Sequence, residues 1–304
     1  MSQIDGNKLQ AYLQTVAAVT KDDLRGLVHF YEDEAPTPNI LCSFFLTRCT
    51  TQAVREDALI SFICDKALHY VLKRSEIVGK KAEDYRRLWA LAKQAFNLTP
   101  NTGEAGELLL FILLEANGII QVYSKMDIKT NGKMAFHGYD AVHIGGGKDI
   151  ALHIGHSKMY ADFSSALNSA LQDIKNFTAN RPQRDREIHL LSSHIDASKF
   201  GKHTEQIRSI VNPYTEHREN FAEVNAVFLG SEWKFLQDGI QRQPQPFDDL
   251  MSRTFEAMHA QTASKIRDKV TSIDSIKGQK FVFYLLPISD VSDFRRQFVD
   301  EMRL

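Results

Sequence analysis

Apolar positions in the middle of the chain change from helical spacing to strict alternation, and then back again. The segment EAGELLLFILLEANG (104–118) predicts a helix that ends at Asn117-Gly118, a pair suited to a helix C-cap. Asn101, three residues before Glu104, fits a capping arrangement at its start. The next three segments alternate and predict strands: IIQVYSKMDIKT, MAFHGYDAVHI and IALHIGHSKMY, with IGGGKD as the turn between the last two. SSALNSALQDIKNF (164–177) returns to helical spacing, with Ser164 or Ser165 as its N-cap. The predicted order is therefore α-β-β-β-α.

The sequence on either side of this central pattern is more mixed. Residues 1–98 show helical periodicity in 51–74 and 81–96, and YEDEAPTPNILCSFFLTR predicts an acidic loop followed by a strand. Weaker strands are expected at EIHLLSSH, EVNAVFLG and KFVFYLLPI. The turn cluster NLTPNTGE marks the internal boundary. We predict a helix-rich region over 1–98, with a role in partner binding or regulation, and an α/β domain over 99–304 with a mixed sheet flanked by helices.

Composition narrows the class of protein only a little. The 37 basic and 38 acidic residues nearly cancel, so the net charge does not indicate a nucleic-acid-binding protein. A local basic patch would nevertheless suffice to bind nucleic acid. The three cysteines form no CxxC pair and predict no disulfide framework. The longest apolar run, LLLFILL, is too short to span a bilayer, and the start lacks the features of a signal peptide. We expect a soluble cytoplasmic protein that makes no membrane contact.

Three polar residues extend the apolar faces of the second and third predicted strands. Asp140 shares a face with Val142, and His156 and Lys158 continue the face that begins with Ile154. A glycine-rich loop of three or five residues would join the strands as a hairpin with these faces on the same side. With five residues, Asp140 is expected opposite Ile154 and diagonal to His156. A carboxylate, an imidazole and an ammonium group are thus predicted at one end of the sheet.

Two glutamates in the first turns of the preceding helix add to this set. Glu104 and Glu107 lie at spacing i, i+3 and therefore share one helix face. Either residue taken alone is explained by complementation of the helix dipole, which contributes a few tenths of a kcal/mol. Their place directly before the three strands makes them candidates for the same site as Asp140 and Lys158. The sequence does not separate the two.

This order of elements and residues resembles the core of the PD-(D/E)XK nucleases, and more closely the HamA family of Hachiman antiphage defence. The resemblance lies in GEAGELLLFILLE, FHGYDAVHI, GHSKMY and the C-terminal FYLLPI; it is good over 100–180, fainter beyond and slight before 98. It implies a restriction-endonuclease-like fold and a DNA-degrading nuclease that requires Mg²⁺, or Mn²⁺. It also implies a superfamily 2 helicase partner (HamB) and a nuclease held inactive in that complex until activation.

The resemblance also implies roles for individual residues. Asp140 would be a metal ligand, Lys158 the catalytic lysine, and Glu104 or Glu107 the helix carboxylate, with the metal activating a water and stabilising charge on the phosphate. His156 departs from the pattern, which has glutamate or aspartate at that position. The site could use the imidazole as a catalytic metal ligand, favouring Mn²⁺. It could instead be weakened, with the helix glutamates supplying the charge, or it could be a natural or engineered inactive copy.

Other readings of the same stretch are weaker. The histidines around the hairpin, His137, His143 and His153, face away from His156 on regular strands and match no zinc motif. GGGKD lacks the first glycine and the final Ser/Thr of a phosphate loop. The strongest rival is a non-catalytic subunit that serves DNA binding and partner assembly. Basic residues that are candidates for DNA phosphates, although most are expected simply to be solvated, are Lys125, Lys129, Lys133, Lys148, Arg181, Arg184 and Arg186.

Overall fold

A seven-stranded sheet forms the centre of the fold. The computed structural model describes residues 6–49, 54–99, 102–129, 139–146, 150–216, 221–236 and 247–304. The strands in chain order are β1 (Val28–Glu32), β2 (Ile40–Thr47), β3 (Ile120–Gln121), β4 (Ala141–Gly145), β5 (Ala151–Tyr160), β6 (Ala222–Glu232) and β7 (Lys280–Ile288). Their order across the sheet is β1-β2-β7-β6-β5-β4-β3.

Helices cover both faces of this sheet. In chain order they are α1 (Gly6–Val16), α2 (Lys21–Arg25), α3 (Glu56–Asp65), α4 (Ala67–Val71), α5 (Arg74–Ile77), α6 (Ala82–Lys93), α7 (Glu104–Ala116), α8 (Lys125–Lys129), α9 (Phe163–Ala179), α10 (Arg181–Ser192), α11 (Ala197–Phe200), α12 (Thr204–Val211), α13 (Phe247–Thr271) and α14 (Val291–Arg303), with a 3₁₀ turn at Gly201–His203. In the part of the chain that the structure describes, no helix is long and apolar enough to cross a membrane.

The sheet is mixed. β2, β7, β6 and β5 run parallel, whereas β1 and the pair β4 and β3 run antiparallel to their neighbours at the two edges. Of the parallel strands, β2 and β7 are largely apolar, as expected for strands covered on both faces. The predicted fold class, a mixed sheet flanked by helices with a mainly helical N-terminal region, is confirmed. Strands β1 and β2 of that region extend the sheet through β7, and the boundary at 98/99 stays a prediction.

Helices α7 and α9 cover opposite faces of β5. Ser157 and Met159 lie against Gly106 of α7, whereas Ile154 packs with Phe177 of α9. Odd-numbered residues of β5 therefore face α7, and even-numbered residues face α9. This alternation decides which predicted site residues can meet.

The predicted hairpin of β4 and β5 is confirmed, with a different register. Gly145 pairs with Ala151, which leaves five residues between the strands, and Val142 lies opposite Ile154. Asp140 is bent away at the end of β4, and its backbone N–H donates to the carbonyl of Gly155 at 2.7 Å. The expectation that Asp140 faces Ile154 was therefore wrong by two residues, since Val142 takes that place.

Two predicted strands differ from the prediction. The strand expected over 119–130 is described up to residue 129, where it consists of the short β3 followed by α8, and EIHLLSSH lies largely within α10. In α10, Ile188 and Leu191 are buried three residues apart, while Leu190 is 43% exposed, which is the burial pattern of a helix. Asp162, and not either predicted serine, caps α9 by accepting from the N–H of Ser165 at 2.6 Å. Asn101, the expected cap of α7, lies outside the described residues.

We predict that Gly155→Ala destabilises the protein by about 1–3 kcal/mol. A Cβ at this position would lie 2.6 Å from the Cβ of Ala141 and 2.9 Å from Cδ2 of Leu110, so α7 and β4 would have to move. Gly26→Ala is the matched control, because Gly26 has an α-region φ of −75° and no atom within 4 Å of the added Cβ. Urea unfolding measures both variants, and equal losses would contradict the close packing.

Candidate active site

The helix glutamates are presented by the first turns of α7. Gly106 lies between them and lets the helix approach β5 so closely that an added Cβ would be 2.4 Å from the Ser157 hydroxyl. Glu104 is 6% exposed, and Glu107 is half-buried beside it, as the i, i+3 spacing predicts. The first turns of α7 thus hold one buried and one half-buried carboxylate at the end of the sheet.

Lys125 neutralises part of this charge. At the start of α8, its Nζ donates to Oε2 of Glu107 at 2.7 Å and also to Oε2 of Glu104. The ammonium lies 4.9 Å from the ring centroid of Tyr70 and 5.1 Å from that of Phe96. Burial acts to lower the pKa of Lys125, but Glu107 and Glu104 outweigh it, and the net shift is upward. Lys125 is therefore a buried cation and not the DNA-facing surface residue that its position in the sequence suggested.

The two glutamates differ in how many of their carboxylate oxygens accept hydrogen bonds from the described residues. Glu104 accepts from Lys125 with Oε2 and from the backbone N–H of Asn97 with Oε1, at 2.9 Å. Glu107 accepts with Oε2 alone, from Lys125 and from the Tyr70 hydroxyl at 3.2 Å. Within the described ranges, no hydrogen bond reaches Oε1 of Glu107. This difference could not be read from the sequence.

Asp140 is fixed beside Glu107 by the backbone of β5. Its Oδ2 accepts from the N–H of Ser157 at 2.7 Å. Burial, followed by repulsion from Glu107, raises the pKa of Asp140 to about 7, against the opposing effects of the Ser157 hydrogen bond, Lys158 and Lys125. Asp140 therefore stands between the α7 carboxylates and Lys158.

Lys158 leaves β5 on the α9 side. Its Nζ pairs with Oδ2 of Asp173 at 2.6 Å, and Asp140 is also close enough to act on it electrostatically. Burial acts to lower the pKa of Lys158, but Asp173 and Asp140 outweigh it and the net shift is upward. The sequence analysis overlooked Asp173. It was detectable as a charged residue on the otherwise apolar face of α9 that carries Ala166, Ala170 and Phe177.

His156 points to the same side as Lys158 but is more deeply buried. The residue is 2% exposed, and its ring lies 6.1 Å from that of Phe177 in an edge-on arrangement. Burial lowers the pKa of His156 to about 4, with Lys158 acting in the same direction and Asp173 opposing, so the imidazole is neutral at pH 7. Its Nε2 has no hydrogen-bond partner among the described residues.

The structure thus brings Asp140, Glu107 and Lys158 together, with Glu104 behind Glu107, and leaves His156 apart from the carboxylates of α7. The other two described histidines of the hairpin, His143 and His153, pair across β4 and β5, and both are buried on the opposite face, where His143 lies 6.1 Å from the Phe111 ring. His137, Lys133 and Lys148 lie outside the described residues. In the described ranges, no group of three or more His, Cys, Asp or Glu side chains could hold a metal ion.

From the described part of the chain, a divalent ion would therefore have two carboxylates and not three or four side-chain ligands. The oxygens that receive no hydrogen bond from the described residues are Oδ1 of Asp140 and Oε1 of Glu107. Mg²⁺ commonly binds through one or two carboxylates and completes its shell with water and substrate phosphate. The repulsion from Glu107 that adds to burial in raising the pKa of Asp140 is what a cation between the two groups would relieve. The residues fit a single such ion.

Comparison with known proteins places the chain in one family. The family model described as HamA matches residues 23–302, which is nearly the whole chain. Among curated proteins, none matches it.

We predict that Asp140 titrates near pH 7 in metal-free protein, measured by carboxyl-carbon NMR with Asp140→Asn to assign the signal. Its folded pKa lies above the ordinary value of 3.8, so the folded state holds a proton that the unfolded state has lost between about pH 4 and 7. The contribution of Asp140 to the free energy of unfolding is full below pH 4 and is lost as the pH rises through 7. Glu107→Gln should lower the pKa of Asp140. A wild-type value near 4 would contradict the prediction.

Proposed function

The chain belongs to the HamA family and is thus a component of Hachiman antiphage defence, and we propose that it is the metal-dependent deoxyribonuclease of that system. One observation carries the proposal. At the end of the β4 and β5 pair, Asp140 is close enough to the carboxylate of Glu107 and to the ammonium of Lys158 for both to act on it electrostatically. These are the residue types that hydrolysis of a phosphodiester by a metal-dependent nuclease requires.

Asp140 and Glu107 would hold a single Mg²⁺ or Mn²⁺. When bound, the ion would lower the pKa of a water and stabilise the charge that develops on the phosphate. Glu104 is not a ligand in this proposal, because both of its oxygens are already hydrogen-bonded. The Ser157 N–H keeps Asp140 oriented, so that the site is preorganised without a further side chain.

Lys158 would contact the phosphate of the substrate. Its ammonium is a point charge with three donors, and the pair with Asp173 uses one of them. Asp173 would hold Lys158 in place and is a positioning residue in this scheme. His156 would support the local packing through Phe177 and would not bind the metal.

A superfamily 2 helicase of the HamB type is the proposed partner, and DNA the proposed substrate. Membership of the HamA family is the support for both proposals. Several candidate DNA contacts are engaged within the protein: Arg184 pairs with Glu223, and Arg181 pairs with Asp185 at 3.6 Å. We propose that activation by the helicase precedes DNA degradation.

A second candidate function rests on His156. A neutral, buried imidazole stands where the nuclease motif has a carboxylate, so the site has less negative charge with which to attract a cation. On this alternative, the chain is a catalytically impaired subunit that serves DNA binding and partner assembly.

Plasmid degradation in Mg²⁺ and in Mn²⁺ distinguishes the two candidates. We predict that wild type cuts, that Asp140→Asn and Lys158→Ala each lose about 100-fold or more, and that His156→Gln stays within about tenfold of wild type. Lys265→Ala, at an exposed position of α13, is the matched control for loss of a lysine and should be unchanged. Circular dichroism verifies that the variants fold.

The contrary results are equally specific. Cutting that survives Lys158→Ala would refute the assignment of the site. A silent wild type, with activity gained in His156→Glu, would establish the impaired subunit instead.

A further inference from the structure

A cation is already present among the carboxylates of α7. Lys125 reaches both Glu104 and Glu107 with one ammonium group, and the residue is 8% exposed. Lysine is rarely buried to this extent unless it is paired, and here the pairing is to two carboxylates and two aromatic rings. This is a built-in feature and not a surface ion pair.

The position of Lys125 is fixed by its surroundings. It is the first residue of α8, and Asp127 of the same helix forms an ion pair with Lys73 at 2.9 Å. Helix α8 also contacts α4, which carries Tyr70. Removal of the ammonium would take away the positive charge that Lys125 places between Glu104 and the bound oxygen of Glu107.

The charges of the site indicate how many divalent ions it can take. Lys158 and Asp173 form a neutral pair. Among the described residues, Glu104 and Glu107 carry two negative charges and Lys125 one positive charge, which leaves one negative charge. Ionised Asp140 adds a second. One divalent cation balances the two negative charges of these residues, whereas a second ion would need the place between Glu104 and Glu107 that Lys125 occupies.

We propose that Lys125 is the resident cation of this site: its ammonium takes the place between Glu104 and Glu107 that a second divalent ion would otherwise occupy. Lys125 is thus a positioning residue that limits the site to one divalent ion. The inference rests on the proposed function only in taking Asp140 and Glu107 as the place of that one ion.

The test counts Mn²⁺ bound per chain, by electron paramagnetic resonance of the free ion, in full-length wild type, Lys125→Met and Lys125→Arg. We expect Lys125→Met to bind one more Mn²⁺ than wild type. Lys125→Arg keeps the charge and should bind no extra ion. The double variant Lys125→Met/Glu104→Gln should lose the additional ion, because Glu104 contributes only to the position that Lys125 fills.

Thermal unfolding gives a second measurement. Without divalent ions, Lys125→Met should lower Tm by roughly 5–10 °C, because two buried carboxylates lose their counter-ion. Mn²⁺ should raise Tm more in this variant than in wild type, and Glu104→Gln should abolish that difference. If Lys125→Met folds only in the presence of Mn²⁺, that dependence is itself the expected rescue.

Each outcome supports or overturns the proposal independently of nuclease activity. No ion in wild type and one in Lys125→Met would support the role of Lys125 and refute the metal site of the proposed function. Equal counts in the two proteins, or two ions in wild type of which one is lost in Glu104→Gln, would overturn the role of Lys125. If Lys125→Met does not fold even with Mn²⁺, the comparison is between wild type and Glu104→Gln. Loss of a bound Mn²⁺ in Glu104→Gln would overturn the role of Lys125. An unchanged count of at most one Mn²⁺ per chain would support that role.

Discussion

The close approach of α7 to β5 is the constraint from which the rest of the site follows. Gly106 on the helix and Gly155 on the strand remove the two side chains that would keep these elements apart. The glutamates on the first turns of α7 are consequently brought to the end of the sheet, beside the residue that leaves β4. A helix held farther away would leave them as ordinary surface residues that complement the helix dipole.

Close packing of carboxylates then sets the electrostatics. Three acidic side chains lie near one another, and burial favours their compensation or protonation. Lys125 compensates Glu104 and part of Glu107. Asp140 accepts one backbone N–H from the described residues, and burial, followed by repulsion from Glu107, raises its pKa to about 7. The charge of the Asp140 carboxyl therefore depends on the charges placed beside it. Carboxyl groups with raised pKa values of this kind are common at functional sites.

The two faces of β5 separate roles that the motif in the sequence combines. Ser157 contacts α7 and orients Asp140 through its backbone, while His156 and Lys158 lie on the face covered by α9. Lys158 still acts on Asp140 because both lie where the strands end. His156 lies two residues before Lys158 along β5 and packs in the apolar core with Phe177. Replacement of the motif's carboxylate by a neutral ring is thus compatible with the burial of that position, whatever its consequence for catalysis.

The sequence alone determined the order of elements around the site. Helix α7, the β4 and β5 hairpin, α9, β6 and β7 follow from local apolar periodicity, because each element must bury one face whatever its partner. The same reasoning failed for 119–130 and for 187–194. In both segments a short alternating pattern fits a strand or a helix, and tertiary contacts decided between them.

Only the tertiary structure decided which charges meet. Glu104 and Glu107 were separable only by their hydrogen bonds, and Lys125 and Asp173 became part of the site through contacts 15 to 21 residues away along the chain. Periodicity reports which face of an element is buried, and it carries no information on which residue of another element lies opposite. Ion pairing, pKa values and metal capacity depend on that distance between groups, so the sequence named the acidic residues and the fold determined their chemistry.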